Sequence, residues 1–598
     1  MTTFAPLDAF PLAPPAQRWR QELERLYGAQ GPEVAAQLEQ ALRAWRERLP
    51  EPAPGRRVLT QRDALLITYG DQFRDAPRPP LAVLADALDR WVRPGFSWVH
   101  LLPFFPYSSD DGFAVIDYGQ VNPAWGTWDH IHRLQALGFD LMFDLVLNHV
   151  SSQHPWFQAF LRGEPEHQDT FLHLPPDTDL SDVVRPRPWP LLTRFETAQG
   201  PRWVWTTFSA DQIDLNYRAP HVLLAMVNVM LDYVAHGASM LRLDAVAFTW
   251  KEVGTSCIHL PQAHALVRLF RAVLDDVAPH VLLLTETNVP HEENVRYFGD
   301  GYNEAQLVYQ FPLPPLVLHT LLTRDSRALT EWARSVAPPT PATTFLNFLA
   351  SHDGIGVRPV EGLLRADEVE RLVEHTLAQG GEVSYRALPD GSRAVYELNI
   401  TYWDALNPAY EGEPLERQVA RFLAAHAILF ALQGMPAVYV HSLFGSRGDR
   451  EAVERTGQPR AINRARFALR ALARELAQPR GRRRQVYDGM MALLQARART
   501  DAFHPQQPQH VLAVNPGVFA LWRGEPGAPG SVLALHEIAG TARTVRVPWP
   551  ARPGPLVDVR TGRALGMAEG PTLTIPLRPY EVLWLRVPAR AFTSPPRE

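Results

Sequence analysis

The chain is nearly free of two residue types. Cys257 is the single cysteine among 598 residues, which excludes internal disulfides and cysteine-built metal clusters. Of 59 Lys plus Arg, all but Lys251 are arginine. So complete a replacement reads as a coding bias, and the place of Lys251 shortly after Asp244 as chance. No apolar run approaches the roughly 20 residues that span a bilayer. The opening MTTFAPLDAF has neither a basic start nor a long apolar core, so no signal peptide is expected. No Gly-rich phosphate loop follows the first strand candidate and no HExxH pairing occurs, against nucleotide-binding and zinc-hydrolase readings. A net charge of −5 advertises no nucleic-acid partner. The expectation is a cytoplasmic protein, monomer or homodimer, with small-molecule partners and neither nucleic acid nor membrane.

What is present is ordinary globular composition, 46% hydrophobic and 21% charged, in an organised order. Residues 1–57 form an N-terminal extension, with Gln17 to Leu49 patterned as one or two helices between Pro-rich ends. Then short apolar runs alternate with amphipathic segments. ALLITYG (64–70), WVHLLPF (98–104), LMFDLVLN (141–148), SMLRLDAV (239–246), VLLLTET (281–287), AQLVYQF (305–311), TTFLNFLAS (343–351) and GMPAVYV (434–440) are the strand candidates. Unbroken apolar strands suit a parallel sheet covered on both faces, and this rhythm predicts an α/β fold, a (β/α)8 TIM barrel. A doubly wound sheet is the runner-up. The barrel is expected over 58–148 and 219–502, with an insert at 149–218 and a variable insert at about 354–416. Turn-punctuated alternating runs predict a C-terminal antiparallel β domain over 503–598.

Polar residues gather where the strands end. Asp144, Asn148 and His149 close the third, Arg242 and Asp244 the fourth, Glu286 the fifth, and His352 and Asp353 the seventh. Long βα-loops rise over that mouth of a barrel, where active sites sit. Alone, Arg242 beside Asp244 reads as a buried ion pair. Three carboxylates at one mouth, with two histidines and an arginine, exceed what helix capping explains. Glycoside transfer needs such a pair, one carboxylate attacking the anomeric carbon and the other moving the proton.

DLVLNH (144–149), LRLDAV (241–246), LTET (284–287) and SHD (351–353) resemble, in order, the four sequence regions of the α-amylase superfamily, glycoside hydrolase family 13. The resemblance implies Asp244 as nucleophile, Glu286 as acid/base and Asp353 as transition-state stabiliser. It places Arg242, His149 and His352 around the glucosyl ring. Further stretches are similar to the sucrose phosphorylase branch: DDGFAVIDY (110–118), RPRPWP (185–190), TFSADQIDLN (207–216), KEVGTSC (251–257), SHDGIGV (351–357) and PRAINR (459–464). In that branch the positions of Asp110 and Arg460 hold the far hydroxyls of glucose, and Phe113 and Phe208 line the pocket; plain core packing is the other reading of each Phe. Gln212 matches an acceptor-side residue and Arg187 a loop arginine that meets phosphate. GSRAVYELNITYWDAL (391–406) keeps Tyr396 but has Ala394 in place of an acceptor-binding aspartate, with Arg393 beside it. Loss of an acid next to a guanidinium suits an anionic acceptor. The extension and TETNVPHEEN (285–294) resemble the glucosylglycerate phosphorylase group. The implied activity is retaining phosphorolysis of 2-O-α-glucosylglycerate to α-glucose 1-phosphate and glycerate, with phosphate as co-substrate, no cofactor and no metal. Sucrose 6-phosphate or sucrose phosphorolysis, hydrolysis on the same fold, and a non-catalytic binding subunit are the alternatives.

Overall fold

The computed structural model describes residues 2–388, 392–407 and 412–588. Eight parallel strands close into a barrel: β1 (Leu65–Thr68), β2 (Trp98–Leu101), β3 (Asp140–Val146), β4 (Ala238–Asp244), β5 (Leu282–Thr285), β6 (Leu307–Tyr309), β7 (Thr344–Asn347) and β8 (Met435–Tyr439). Six fall inside one of the eight apolar runs, and β3 and β4 each begin one residue before theirs, at Asp140 and Ala238. They are buried along nearly their whole length, because helices such as Pro220–Ala235 and Pro261–Val277 cover the sheet from outside. The ring closes between β3 and β4, in parallel register from Met240 opposite Met142 to Asp244 opposite Val146.

After β3 the chain rises into two small antiparallel pairings. His149–Ser151 pairs with Gln212–Asp214, and Gly200–Trp205 lies between His173–Leu174 and Leu192–Thr197. After β7, Arg393–Asn399 lies between Ile355–Gly356 and Glu382–Ala387. Beyond residue 503 an antiparallel six-stranded sheet and a two-stranded sheet enclose their own apolar core, with Trp522, Trp549 and Leu585 fully buried; positions 589–598 of the expected β domain lie outside the described residues.

The extension contains the two expected helices, Pro15–Tyr27 and Gly31–Arg48, and also a strand that helical patterning did not suggest. Thr3–Pro6 pairs antiparallel with Gly55–Val58. A Cβ at Gly55 would stand 2.0 Å from the Ala5 carbonyl oxygen, so the ribbon needs glycine there. Trp19, Leu23, Leu38, Leu42 and Trp45 are buried, and Trp19 Nε1 donates to Asp276 at 3.1 Å on the barrel helix Pro261–Val277. Among the described residues no helix is long and apolar enough to cross a membrane.

Candidate active site

The C-terminal ends of the strands deliver their polar residues into one cavity. Asp244, Glu286 and Asp353 line it together with Asp110, Phe113, His149, Arg187, Phe208, Gln212, Arg242, His352, Tyr396 and Arg460.

Arg242 lies at the centre. Its Nη1 donates to Asp244 Oδ1 at 2.7 Å and also to Asp144, its register partner on β3. Its Nη2 is 3.9 Å from Glu286 Oε2. Asp144 in turn meets His100 Nε2 of β2 at 2.6 Å. Burial alone would raise Asp144, but His100 and Arg242 outweigh it and hold this carboxyl below its usual range. A relay from His100 through Asp144 to Arg242 thus fixes the guanidinium against Asp244.

The three mouth carboxyls are driven apart. Burial pushes Asp244 up to about 6 and Glu286 to about 7; Arg242 opposes both rises, and Asp244 and Asp353 add to that of Glu286. Because Arg242 donates directly to Asp244 but stands farther from Glu286, Asp244 ionises first and Glu286 keeps the proton. At Asp353 burial is overcome by Arg460, His352 and Arg464, which hold it well below the carboxylate range. Arg460 Nη1 is 2.6 Å from Asp353 Oδ1.

Backbone geometry aims these groups. Ala245, directly after Asp244, is left-handed at φ 49, a costly conformation for a residue with a Cβ. It turns its N–H onto Glu286 Oε2 at 3.1 Å. Asp110 and Asp111 are consecutive left-handed residues at φ 50 and 47. Arg464 Nη1 holds both, at 3.3 and 2.9 Å, and so ties the loop after β2 to the segment after β8.

Aromatic surfaces complete the pocket. Phe113 stacks on His352 with centroids 4.9 Å apart and 4° between planes. Phe208 packs on His149 at 5.3 Å and on Phe248 at 5.6 Å. His149 meets the Phe113 carbonyl through Nε2 at 2.9 Å and Gln212 Nε2 at 3.2 Å. Burial lowers both histidines, His352 to about 3, so each is neutral near pH 7. On the outer side Arg187 lies over the Tyr396 ring at 5.0 Å. Its loop is anchored by a small core of Val183, Leu191, Trp205 and Cys257, which gives the sole cysteine a packing role.

Arg393 is the exception among the expected site residues. It is exposed at the start of Arg393–Asn399 and does not line the cavity, while Tyr396, three residues on, does. Two groups that sequence reading passed over stand there instead. Arg358, in the segment after β7, lines the cavity and lies 3.6 Å from Glu293. Glu397, 1% exposed, grips Arg460 through two contacts of 3.0 and 2.6 Å. Strand alternation places Tyr396 and Glu397 on opposite faces, yet both line the cavity, which no period-2 pattern foretells.

Lys251 is also more than chance. It is 5% exposed, with Nζ 2.7 Å from Asp214 Oδ2 and 2.8 Å from Asn148 Oδ1. It thereby fastens the insert strand that carries Gln212 to the end of β3. Among the described residues no group of His, Cys, Asp and Glu could hold a metal ion.

The catalytic-domain model of the alpha-amylase family matches residues 82–354. Over nearly its whole length the chain is similar to two proteins named glucosylglycerate phosphorylase. The one from Spirochaeta thermophila is 46% identical, covering 96% of this chain and 98% of that one. The one from Allomeiothermus silvanus is 48% identical, covering 94% and 96%. The crystal structure of sucrose 6F-phosphate phosphorylase from Thermoanaerobacter thermosaccharolyticum superposes with a TM-score of 0.71 at 25% identity, covering 86% of this chain and 98% of that one.

Proposed function

We propose, from the premise that the chain belongs to the α-amylase family in its sucrose phosphorylase branch, that it phosphorolyses 2-O-α-glucosylglycerate to α-glucose 1-phosphate and glycerate. The observation that carries this reading is the near-complete match to two glucosylglycerate phosphorylases; the site supplies the chemistry.

Asp244, ionised against Arg242, attacks the anomeric carbon. Glu286, which holds its proton, gives it to the departing glycerate oxygen. A β-glucosyl ester on Asp244 results. A phosphate oxygen then attacks the same carbon, its proton passes to Glu286, and the bond to Asp244 breaks. Two inversions give net retention, and Glu286 ends as it began. Asp353, ionised and held by Arg460, accepts from the sugar hydroxyls as positive charge grows at the ring. Neutral His149 and His352 bond hydroxyls without repelling that charge. Glycerate and phosphate are both anions, and the guanidiniums that line the outer cavity are Arg187 and Arg358. Arg393 does not take this part.

The test is incubation with glucosylglycerate, sucrose or sucrose 6-phosphate, each with and without phosphate. The expected result is α-glucose 1-phosphate from glucosylglycerate only when phosphate is present. Free glucose formed equally in both buffers would identify a hydrolase. Faster turnover of either sucrose substrate would reassign the acceptor.

A further inference from the structure

Four arginines line the catalytic cavity: Arg187, Arg242, Arg358 and Arg460. Two are committed to carboxylates, Arg242 to Asp144 and Asp244, and Arg460 to Asp353 and Glu397. Arg358 differs from them. Among the described residues it forms no hydrogen bond, none of its nitrogens is sealed from solvent, and its side chain keeps 15% of its surface. Its donors are therefore reachable. Arg187 likewise has donors to spare, with the Tyr396 ring beneath it at 5.0 Å.

The backbone sets Arg358 on the acceptor side. The Val357 N–H donates to the Tyr396 carbonyl at 3.1 Å, so Arg358 leaves the chain beside the residue whose face meets Arg187. A Cβ at Gly356 would stand 2.6 Å from Asn288 Oδ1, so the segment after β7 runs closely along the one that follows Glu286. The leaving oxygen stands at Glu286, and the group next outward belongs to the acceptor.

A relay holds Arg358 in place. Glu293 Oε2 lies 3.6 Å from Arg358 Nη2 and 3.1 Å from His259 Nε2. Tyr297 Oη meets His259 Nδ1 at 2.9 Å. Burial keeps the proton on Tyr297 and, with Arg358 close by, lowers His259 to about 4. The neutral ring accepts from Tyr297 and turns its own N–H toward the Glu293 carboxylate. His259 is left-handed at φ 56, a costly conformation of the kind found where a side chain must be aimed. Beside Glu293, buried Asn294 accepts from Thr287 at 2.7 Å and donates to the Tyr309 carbonyl at 2.6 Å, which fixes the turn His291–Asn294.

Charge divides the two free guanidiniums. Phosphate carries more charge near neutral pH than glycerate does. Arg358 is partly neutralised by Glu293 and fixed; Arg187 is neither. A fixed fork suits a monoanion whose hydroxyl must reach Glu286 in one orientation. We infer that Arg358 binds the carboxylate of the acceptor, a small hydroxy acid such as glycerate, and that Glu293 and His259 are positioning residues acting through it, which leaves Arg187 to phosphate. This rests on the phosphorolysis proposed above.

Exchange of labelled phosphate into α-glucose 1-phosphate separates the two halves of the cycle, since it needs Asp244, Glu286 and phosphate but no glycerate. Arg358→Gln should raise KM for glucosylglycerate about thirtyfold but slow the exchange less than about threefold. Arg358→Lys, which keeps the charge and loses the fork, should give an intermediate KM and serves if the first variant does not fold. Glu293→Gln and His259→Asn should each raise that KM about fivefold in the parent and add nothing to Arg358→Gln. An unchanged KM, or an exchange rate that falls in step with it, would overturn the assignment of Arg358. Additive losses in the double variants would overturn the positioning roles. A parent that exchanges phosphate yet leaves glucosylglycerate intact would refute the reaction itself, and this inference with it.

Discussion

At Asp244 and Glu286 the same burial acts on two carboxyls, and one guanidinium separates their fates. For kcat/KM on glucosylglycerate, activity should fall below about pH 6 as Asp244 takes a proton and above about pH 7 as Glu286 loses one. Glu286→Gln should remove the alkaline limb from the residual rate; an unchanged limb would assign it elsewhere. Asp244→Asn should lower turnover by several orders of magnitude, with no burst of released glycerate. The same raised pKa has a stability cost. Because the folded chain holds the Glu286 proton more tightly than the unfolded one, this stabilisation is full below about pH 4.5 and lost as pH rises through about 7. Glu286→Gln should therefore be more stable than the parent at pH 8, by up to about 3 kcal/mol, and nearly equal to it at pH 4; urea midpoints at the two values decide. Glu397→Gln halves the charge-assisted grip on Arg460 and should raise KM for glucosylglycerate about tenfold with little change in kcat, roughly 1.4 kcal/mol. At this scale the sequence was informative wherever a strand end presented its polar residue. It was silent on Glu397 and Arg464, whose roles depend on which distant segments meet above the barrel.

Among elements, the insert strand Gln212–Asp214 carries a buried carboxylate, Asp214, that accepts from Thr207 and Asn148 and has its charge met by the Lys251 ammonium. Lys251→Met would leave Asp214 buried and uncompensated, a loss of about 3–5 kcal/mol, and should lower Tm and slacken Gln212 together. Lys251→Met combined with Asp214→Asn should regain most of the Tm; no recovery would separate Asp214 from the effect. The eight barrel strands were legible because two-sided burial demands unbroken apolar runs, each bounded by turn residues. The ribbon Thr3–Pro6 was not, since four residues of mixed polarity carry no period. Arg393 was misplaced for a related reason: being next to Ala394 in sequence says nothing about which way a hairpin end faces.

For the molecule as a whole, the extension is part of the fold. It buries Trp19, Leu23, Leu38, Leu42 and Trp45, each contributing about 1.5–3 kcal/mol, a sum near the entire stability of an ordinary domain. Removing residues 2–50 should yield insoluble protein, whereas Arg20→Ala, breaking an exposed pair with Glu39 and a contact with the face of Trp19, should change stability by only about 1 kcal/mol. A soluble, active truncation would show the extension to be dispensable. Domain order followed from composition and rhythm; the way the extension seats against Pro261–Val277 required its partner helix to be seen.

The bridge from Arg464 to Asp110 and Asp111 ties together two segments beside the pocket end that Asp110 lines. The double displacement proposed at Asp244 has a kinetic corollary: glycerate leaves before phosphate attacks the same carbon. Double-reciprocal plots at several phosphate concentrations should be parallel, the signature of a ping-pong cycle; lines that intersect would require both molecules inside at once.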